Sequence, residues 1–330
     1  MMAKIKKIDA NILRLIMILI VFLIIACVTQ PTNFMKADNF RSMAKQMTEY
    51  GLMALGVGVC MISGGIDLSC VYIANLSGIT AGLMMQSMST TSSGSGYILL
   101  SVLVAILVGA ACGIFNGFLI SYLRIPAMLA TLGSYQLFMG ISIVISNGST
   151  VSGIPEGYTM WGTTLLAGIP FAFVVFLICI ILLSLIMSKT RFGQKVYLVG
   201  TNAKAAKFAG IKNNSVLIRS YMISGILSAI AGLLSLARIN SAKADFGSSY
   251  TMQTILIVVL GGVNPDGGFG SIPGIAIAVV ILQLLSSYLN MFPNISNYYR
   301  DLIWGVALIA VLILNFVTNK RKQARLAKAS

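Results

Sequence analysis

The sequence predicts an all-α polytopic membrane protein of about ten transmembrane helices, some of them short or broken. Three observations carry that prediction. Hydrophobic residues make up 57% of the 330-residue chain and charged residues only 9%, where soluble domains carry about 25% charged residues. The apolar runs are long and rich in Ile, Leu and Gly, which suits helices and not the alternating strands of a barrel. The charges gather in the segments between the runs, as loops lying in water require.

A helical span needs about 20 apolar residues. In chain order the candidates are 12–28, 46–63, 71–88, 97–122, 126–146, 163–187, 217–237, 251–263, 272–290 and 301–317. The first follows Lys4, Lys6 and Lys7 and so resembles a signal sequence. Ile24-Ile25-Ala26-Cys27 even loosely fits a lipoprotein cleavage box. In a chain that is otherwise multispanning, the preferred reading is an uncleaved first span. The 251–263 run is marginally long, which leaves eight or nine full spans open.

The positive-inside rule sets the orientation. With the N-terminus inside, segments 1–11, 64–70, 123–125, 188–216 and 318–330 face the cytoplasm. They and the adjoining span edges take Lys4, Lys6, Lys7, Arg14, Arg124, every basic residue of 188–219 and every one of the tail. The outer segments take Lys36, Arg41, Lys45, Arg238, Lys243 and Arg300, nearly balanced by Asp38, Glu49, Glu156, Asp245 and Asp301. A multi-pass protein of a plasma membrane with both termini cytoplasmic is therefore expected. The chain reads as a single transmembrane domain over 1–330. Its tail, 318–330, reads as a basic anchor on anionic membrane lipid.

Several classes of chemistry are disfavoured. The chain has no His, so it lacks His-ligated metal sites, Ser-His-Asp chemistry and HExxH motifs. The dipeptide Gly-Lys is also absent, so there is no P-loop and any ATP hydrolysis belongs to a partner. The net charge of +15 lies in loops without a basic stripe interleaved with aromatics, so nucleic acid is not an expected partner. Cys27, Cys60, Cys70, Cys112 and Cys179 lie in or beside apolar runs, form no CxxC pair and read as free thiols. No catalytic residue, metal ligand or cofactor is assigned.

Four segments break the apolar pattern. In Ser63-Gly64-Gly65-Ile66-Asp67-Leu68-Ser69, an acid at membrane depth costs at least ~2.5 kcal/mol and needs a reason. Either Asp67 caps a helix starting near Leu68, accepting from the N–H groups of Ser69 and Cys70, or a broken helix lets Asp67 and Ser69 line a polar path. The segment Gly261-Gly262-Val263-Asn264-Pro265-Asp266-Gly267-Gly268-Phe269-Gly270 carries a strong turn signal, Asn-Pro-Asp-Gly. Its glycines, like Gly64 and Gly65, read as structural turn positions. The stretches Val57–Met84 and Ile255–Leu285 share the order apolar run, Gly pair, Asp, apolar run, which is a weak parallel repeat with both turns on one membrane side. In Gly113-Ile114-Phe115-Asn116-Gly117, followed by Arg124-Ile125-Pro126 and Thr131-Leu132-Gly133, small residues permit close helix approach. Asn116, like Asn75 and Gln136, is either interhelical glue or a pathway contact.

The fourth segment, 188–219, is a basic island with Lys189, Arg191, Lys195, Lys204, Lys207, Lys212 and Arg219 and no acid. Asn202 is a good N-cap, Ala203–Ala209 is rich in Ala and Lys, and Gly210 stands where a helix stops. The pattern predicts a helix of about two turns. A helix that short is marginal alone in water and needs something to pack against, with Phe208 and Ile211 as its apolar contacts.

With GGIDLS (64–69), GIFNG, RIP and TLG (113–133), TRFGQKVYLVGTNAKAAKFAGI (190–211) and LGGVNPDGGFG (260–270) in order, the chain resembles the permease subunit of bacterial ABC importers of the ribose type, a group that includes permeases for other monosaccharides and for autoinducer-2. The resemblance covers nearly the whole chain. It implies the ABC importer permease fold, a second permease subunit (the same or a related chain), two cytoplasmic ABC ATPase subunits and an extracytoplasmic sugar-binding protein. It makes 188–216 the cytoplasmic coupling loop, with Arg191, Gly193, Asn202, Ala205, Ala206, Phe208 and Gly210 meeting the ATPase. The solute it implies is a monosaccharide or a similar polyol-like molecule. Related permeases for nucleosides or branched-chain amino acids are the alternative, with a secondary carrier or a membrane enzyme further off. Family members usually continue GGIDLS with Val-Gly, where this chain has Cys70-Val71-Tyr72. They often carry Glu-Leu where it has Ser249-Tyr250-Thr251-Met252-Gln253. Both departures bear on the substrate.

Overall fold

The computed structural model describes residues 10–89 and 96–292, with scattered positions between 299 and 313. The tail 318–330, Lys4, Lys6 and Lys7 lie outside the described residues, and the expected span 301–317 falls outside the two continuous stretches. The helices are α1 (Ala10–Thr29), α2 (Pro31–Phe34), α3 (Ala37–Ile62), α4 (Cys70–Ser89), α5 (Gly96–Ser121), α6 (Ala127–Ile145), α7 (Glu156–Thr163), α8 (Phe171–Lys189), α9 (Arg191–Thr201), α10 (Ala203–Phe208), α11 (Asn213–Ile239), α12 (Tyr250–Leu260) and α13 (Ile272–Leu289). Two short antiparallel ribbons interrupt them. In one, β1 (Val151–Ser152) pairs with β4 (Ser241–Ala242). In the other, β2 (Leu165–Leu166) pairs with β3 (Ile169–Pro170).

Among the described residues, six helices, α1, α5, α6, α8, α11 and α13, are long and apolar enough to cross a membrane. Helices α3 and α4 are also long, yet too rich in Gly, Ser, Asn, Gln and Glu to reach that mark. They are surrounded by protein, and nearly all residues of 47–62 and 70–79 are buried. A helix that meets no lipid does not need an apolar surface, because its neighbours satisfy its polar side chains.

The hub is α11, which packs on α5, α3 and α4. Its contact with α5 is backbone on backbone. A Cβ on Gly109 would lie 2.5 Å from the carbonyl oxygen of Gly225, and one on Gly113 would lie 2.2 Å from that of Tyr221. One on Gly117 would lie 2.6 Å from Ile218 Cα. Glycines four apart share one helix face, so the GIFNG segment presents a flat surface that lets the two helices touch.

Three expected spans change. The second span, α3, begins at Ala37, nine residues before the expected 46, since an amphipathic turn with Asp38 at the positive helix end and an Asp38–Arg41 contact of 3.2 Å extends it. The run 163–187 becomes the β2–β3 hairpin followed by α8, because Ala167 (φ 51°) and Gly168 (φ 84°) form the tight turn that suits a two-residue hairpin. The marginal run 251–263 is the short α12, about 16 Å long at 1.5 Å per residue, half of a bilayer core. The chain reaches it by folding back into the bundle. Asn240 ends α11 in the left-handed region at φ 57°, and the Asn75 amide then donates to the carbonyls of Ala244 (3.0 Å) and Phe246 (2.9 Å). Segment 241–249 is thus tied back to α4, with Ser241 and Ala242 paired in the β1–β4 ribbon and Lys243 and Asp245 paired at 3.1 Å on its exposed side.

Among the described residues the cysteines are free thiols. Replacing Gly113 with Ala is expected to destabilise the protein by about 1–3 kcal/mol through overpacking at the α5–α11 contact, read as a lower thermal midpoint in detergent. The same change at Gly133, which faces open space on α6, is expected to leave the midpoint unmoved.

Candidate functional site

The basic island folds as two helices, of which sequence reasoning anticipated one. Thr190 caps α9 by accepting from Gly193 N at 3.3 Å. Gly193 packs against the Met187 carbonyl, 2.2 Å from where its Cβ would stand, so the chain can turn sharply out of α8. Asn202 caps α10, its Oδ1 accepting from Ala205 N at 3.0 Å. At the other end Gly210 N donates to Lys207 O and Ile211 N to Ala206 O, both at 3.0 Å, with Gly210 at φ 78°. That is the Schellman arrangement. The helix is six residues long, slightly shorter than expected.

Ala206 is the only buried residue of α10. Arg191, Asn202, Ala205 and Gly210 are exposed. Phe208 does not pack on the bundle as its own anchor: it is 92% exposed. The helix is held by its caps, by Ala206 in the core and by Asn213 Nδ2 donating to Ala203 O at 2.7 Å, and the rest of its surface faces outward.

Both glycine turns lie at the same end of the bundle as the island and touch each other. Gly268 N donates to Ile62 O at 2.9 Å, and a Cβ on Gly267 would lie 2.7 Å from Gly64 Cα. The N-terminal end of α1 joins them, Asn11 Nδ2 donating to Gly261 O at 3.2 Å, with Gly262 beside the same side chain. Gly65 lies under the Tyr221 hydroxyl.

Just above the first turn is a buried polar knot. Asp67 is fully buried. Its Oδ1 accepts from Ser69 N (2.9 Å) and Ser69 Oγ (2.7 Å), and its Oδ2 accepts from Ser224 Oγ (2.7 Å). Asn116 Nδ2 donates to Ser69 Oγ at 2.8 Å. The carboxylate thus forms an Asx-type turn before α4, which begins at Cys70 and not near Leu68, and it ties that turn to α5 and α11. The knot gathers Asp67, Ser69 and Asn116. It excludes Asn75, which holds the re-entrant segment, and Gln136, which lies exposed on the outer face of α6.

A second polar layer was missed from sequence. Glu49, counted among the outer charges at the edge of span 46–63, is 2% exposed inside the bundle and receives Arg238 Nε at 2.5 Å and Nη2 at 3.1 Å. Glu49, Asn75, Ser235, Phe246 and Tyr250 line a narrow cavity with room for about one water. Across α3, Tyr50 bonds Gln283, and Gln253 lines a second small space with its Oε1 unpartnered. The signal in the sequence is the pair of opposite charges bordering apolar runs, one at the start of 46–63 and one just past 217–237. Their 189-residue separation hides the pairing.

Residues 39–312 match the family model of the branched-chain amino acid transport system permease component. The chain belongs to that family. This permease is 34% identical over 281 residues to the autoinducer 2 import system permease protein LsrD of Escherichia coli O9:H4 (strain HS), covering 83% of each chain. It is equally similar to LsrD of Shigella flexneri, and 33% identical to that of Escherichia coli O157:H7 over the same shares. A solved structure, an inward-facing conformation of a metal-chelate type ABC transporter, superposes with a TM-score of 0.53 over 92% of this chain and 98% of that one, at 17% identity. The likeness to that structure is one of fold. The permease is thus a multi-pass membrane subunit of an ABC importer, and ATP hydrolysis lies in a separate ATPase.

In the permease, the buried Glu49–Arg238 pair cross-links α3 to the last turn of α11. Arg238→Gln is expected to lower stability by about 3–5 kcal/mol, since it leaves a buried charge without its partner. The double change Glu49→Gln with Arg238→Gln is expected to recover most of that loss, with both measured by thermal unfolding of the purified protein.

Proposed function

We propose that this permease, with a second permease subunit, forms the path for a small, uncharged, sugar-like solute delivered by an extracytoplasmic binding protein, and that ATPase subunits drive it by docking on α10. The observation that carries the docking reading is α10 itself. A six-residue helix is unstable alone in water, yet here both ends are capped while Phe208 and every other residue but Ala206 face outward. A rigid, prefolded, outward apolar side chain is what a partner's pocket requires. In this reading Arg191, Gly193, Asn202, Ala205, Ala206, Phe208 and Gly210 build the docking element within loop 188–216.

The island end is cytoplasmic in this proposal, and both termini lie on that side. The placement of Asn11, Gly261, Gly64 and Gly200 at one end of the bundle supports the orientation drawn from the basic residues. The expected run 301–317 would be a tenth crossing, with α12 serving as a half-span. Tail 318–330 would rest on anionic lipid.

The uncharged solute is favoured by the state of the buried charges. Glu49 and Arg238 satisfy each other, and the Asp67 carboxylate is taken up by serine donors. Among the described residues, no free charge in these layers is left to hold a zwitterion, which weighs against a branched-chain amino acid despite the family's description. The likeness to autoinducer 2 import permeases supports the same choice.

The test removes the docking helix without touching the spans. Gly210→Pro, or deletion of 203–209, is expected to abolish ATP-driven solute uptake and stimulation of ATP hydrolysis while the subunit still inserts. Phe208→Ala is expected to weaken ATPase binding by about 2 kcal/mol or more, measured by co-purification and titration. Unchanged uptake in the deletion would remove the docking role.

A further inference from the structure

Three stretches of bare backbone meet at the island end: the end of α9, the α3–α4 turn and the α12–α13 turn. Gly200 is at their centre. A Cβ there would lie 1.9 Å from Ile62 O and 2.6 Å from Gly268 N, and those two atoms are themselves hydrogen-bonded at 2.9 Å. Gly200 therefore sits directly on the bond that joins the two turns. Around it, a Cβ on Gly267 would lie 2.9 Å from Gly200 O, and one on Gly268 would lie 2.4 Å from Thr201 Oγ1. A second bond runs beside the first, with the Tyr197 hydroxyl donating to Gly270 O at 2.9 Å. Val196 and Val199 seat α9 in the bundle at 0% and 4% exposure.

We infer that Gly200 is a positioning residue for energy coupling, the joint through which movement of α9–α10 is passed to both glycine turns at once. The inference rests on α10 being the ATPase docking helix. Its physical basis is that packed backbone has no rotamer with which to absorb a displacement, so a shift of α9 is passed on whole. From the first turn it reaches Asp67, two residues beyond Gly65, and through Ser69, Ser224 and Asn116 it reaches α5 and α11. From the second turn it reaches α12 and α13. The covalent links from the island, into α8 and α11, reach only two helices. The joint adds the helices that frame the re-entrant segment.

The experiment uses the complete complex, permease with its ATPase subunits, in liposomes. Hydrogen exchange is followed at residues 61–69, 196–211 and 264–270, with ATP and vanadate as the probe. In the unsubstituted complex all three segments are expected to respond together. In Gly200→Ala the ATPase is expected to stay bound and 203–209 to respond as before. The two turns are expected to lose their response and to exchange about tenfold faster. Tyr197→Phe, which removes a hydroxyl and adds no volume, serves if Gly200→Ala does not assemble. It is expected to lose the response of 264–270 while keeping that of 61–69. Gly140→Ala, in open space on α6, is the neutral control. Turns that respond normally in Gly200→Ala, or a normal 264–270 response in Tyr197→Phe, overturn the joint alone. No response of 203–209 in the unsubstituted complex overturns the docking reading and the joint with it.

Discussion

Every peptide group that enters a bilayer must find its hydrogen-bond partner inside the protein, and in this chain side chains of one segment supply such partners to the backbone of another. Segment 241–249 is the clearest case. Its carbonyls at Ala244 and Phe246 are both taken by the one amide of Asn75, in a helix that is itself enclosed. The order of the bundle follows. Helices α3, α4 and α11 lie inside and carry Ser, Asn, Gln and Glu, whereas α1, α5, α6 and α8 lie outside and carry the long apolar surfaces. Close approach between α5 and α11 needs glycine, because any side chain would hold the backbones apart.

The same economy of contact shapes the island end. There, three loops that pack through backbone bring α10 into direct connection with the interior. Asp67 lies within this arrangement, one oxygen accepting from Ser69 N and Oγ and the other from Ser224 Oγ on α11. Held by these donors, Asp67 brackets the turn before α4 to α11. The Glu49–Arg238 pair plays the matching part nearer the opposite end, joining α3 to α11 beside the re-entrant segment. Between these two brackets the described residues line two spaces of about one water each.

Much of this was legible in the sequence. The capped helix at 203–208 could be read because its signals, Asn202 and Gly210, are local and only eight residues apart. The close α5–α11 contact was foreshadowed by the spacing of Gly113 and Gly117. Helix α9 was missed because its start, Thr190, looks like the polar end of a span and its apolar face is narrow. The hairpin at 165–170 was missed because its residues are as apolar as those of the helix that follows. Glu49 was counted with the outer charges at the edge of span 46–63 because a charge beside an apolar run ordinarily marks its end, and the partner that buries it lies in another helix.

By itself, the sequence determined the class of the molecule, most of its helices, the caps of α10 and the family to which it belongs, since each depends on composition or on residues near one another in the chain. Tertiary structure alone decided which helices are inside, that α12 is only a half-span, that Arg238 answers Glu49 and that Gly200 is seated on the bond between two turns. Those facts depend on contacts between residues far apart in the chain, where burial and not local pattern sets what a charge or a missing side chain does.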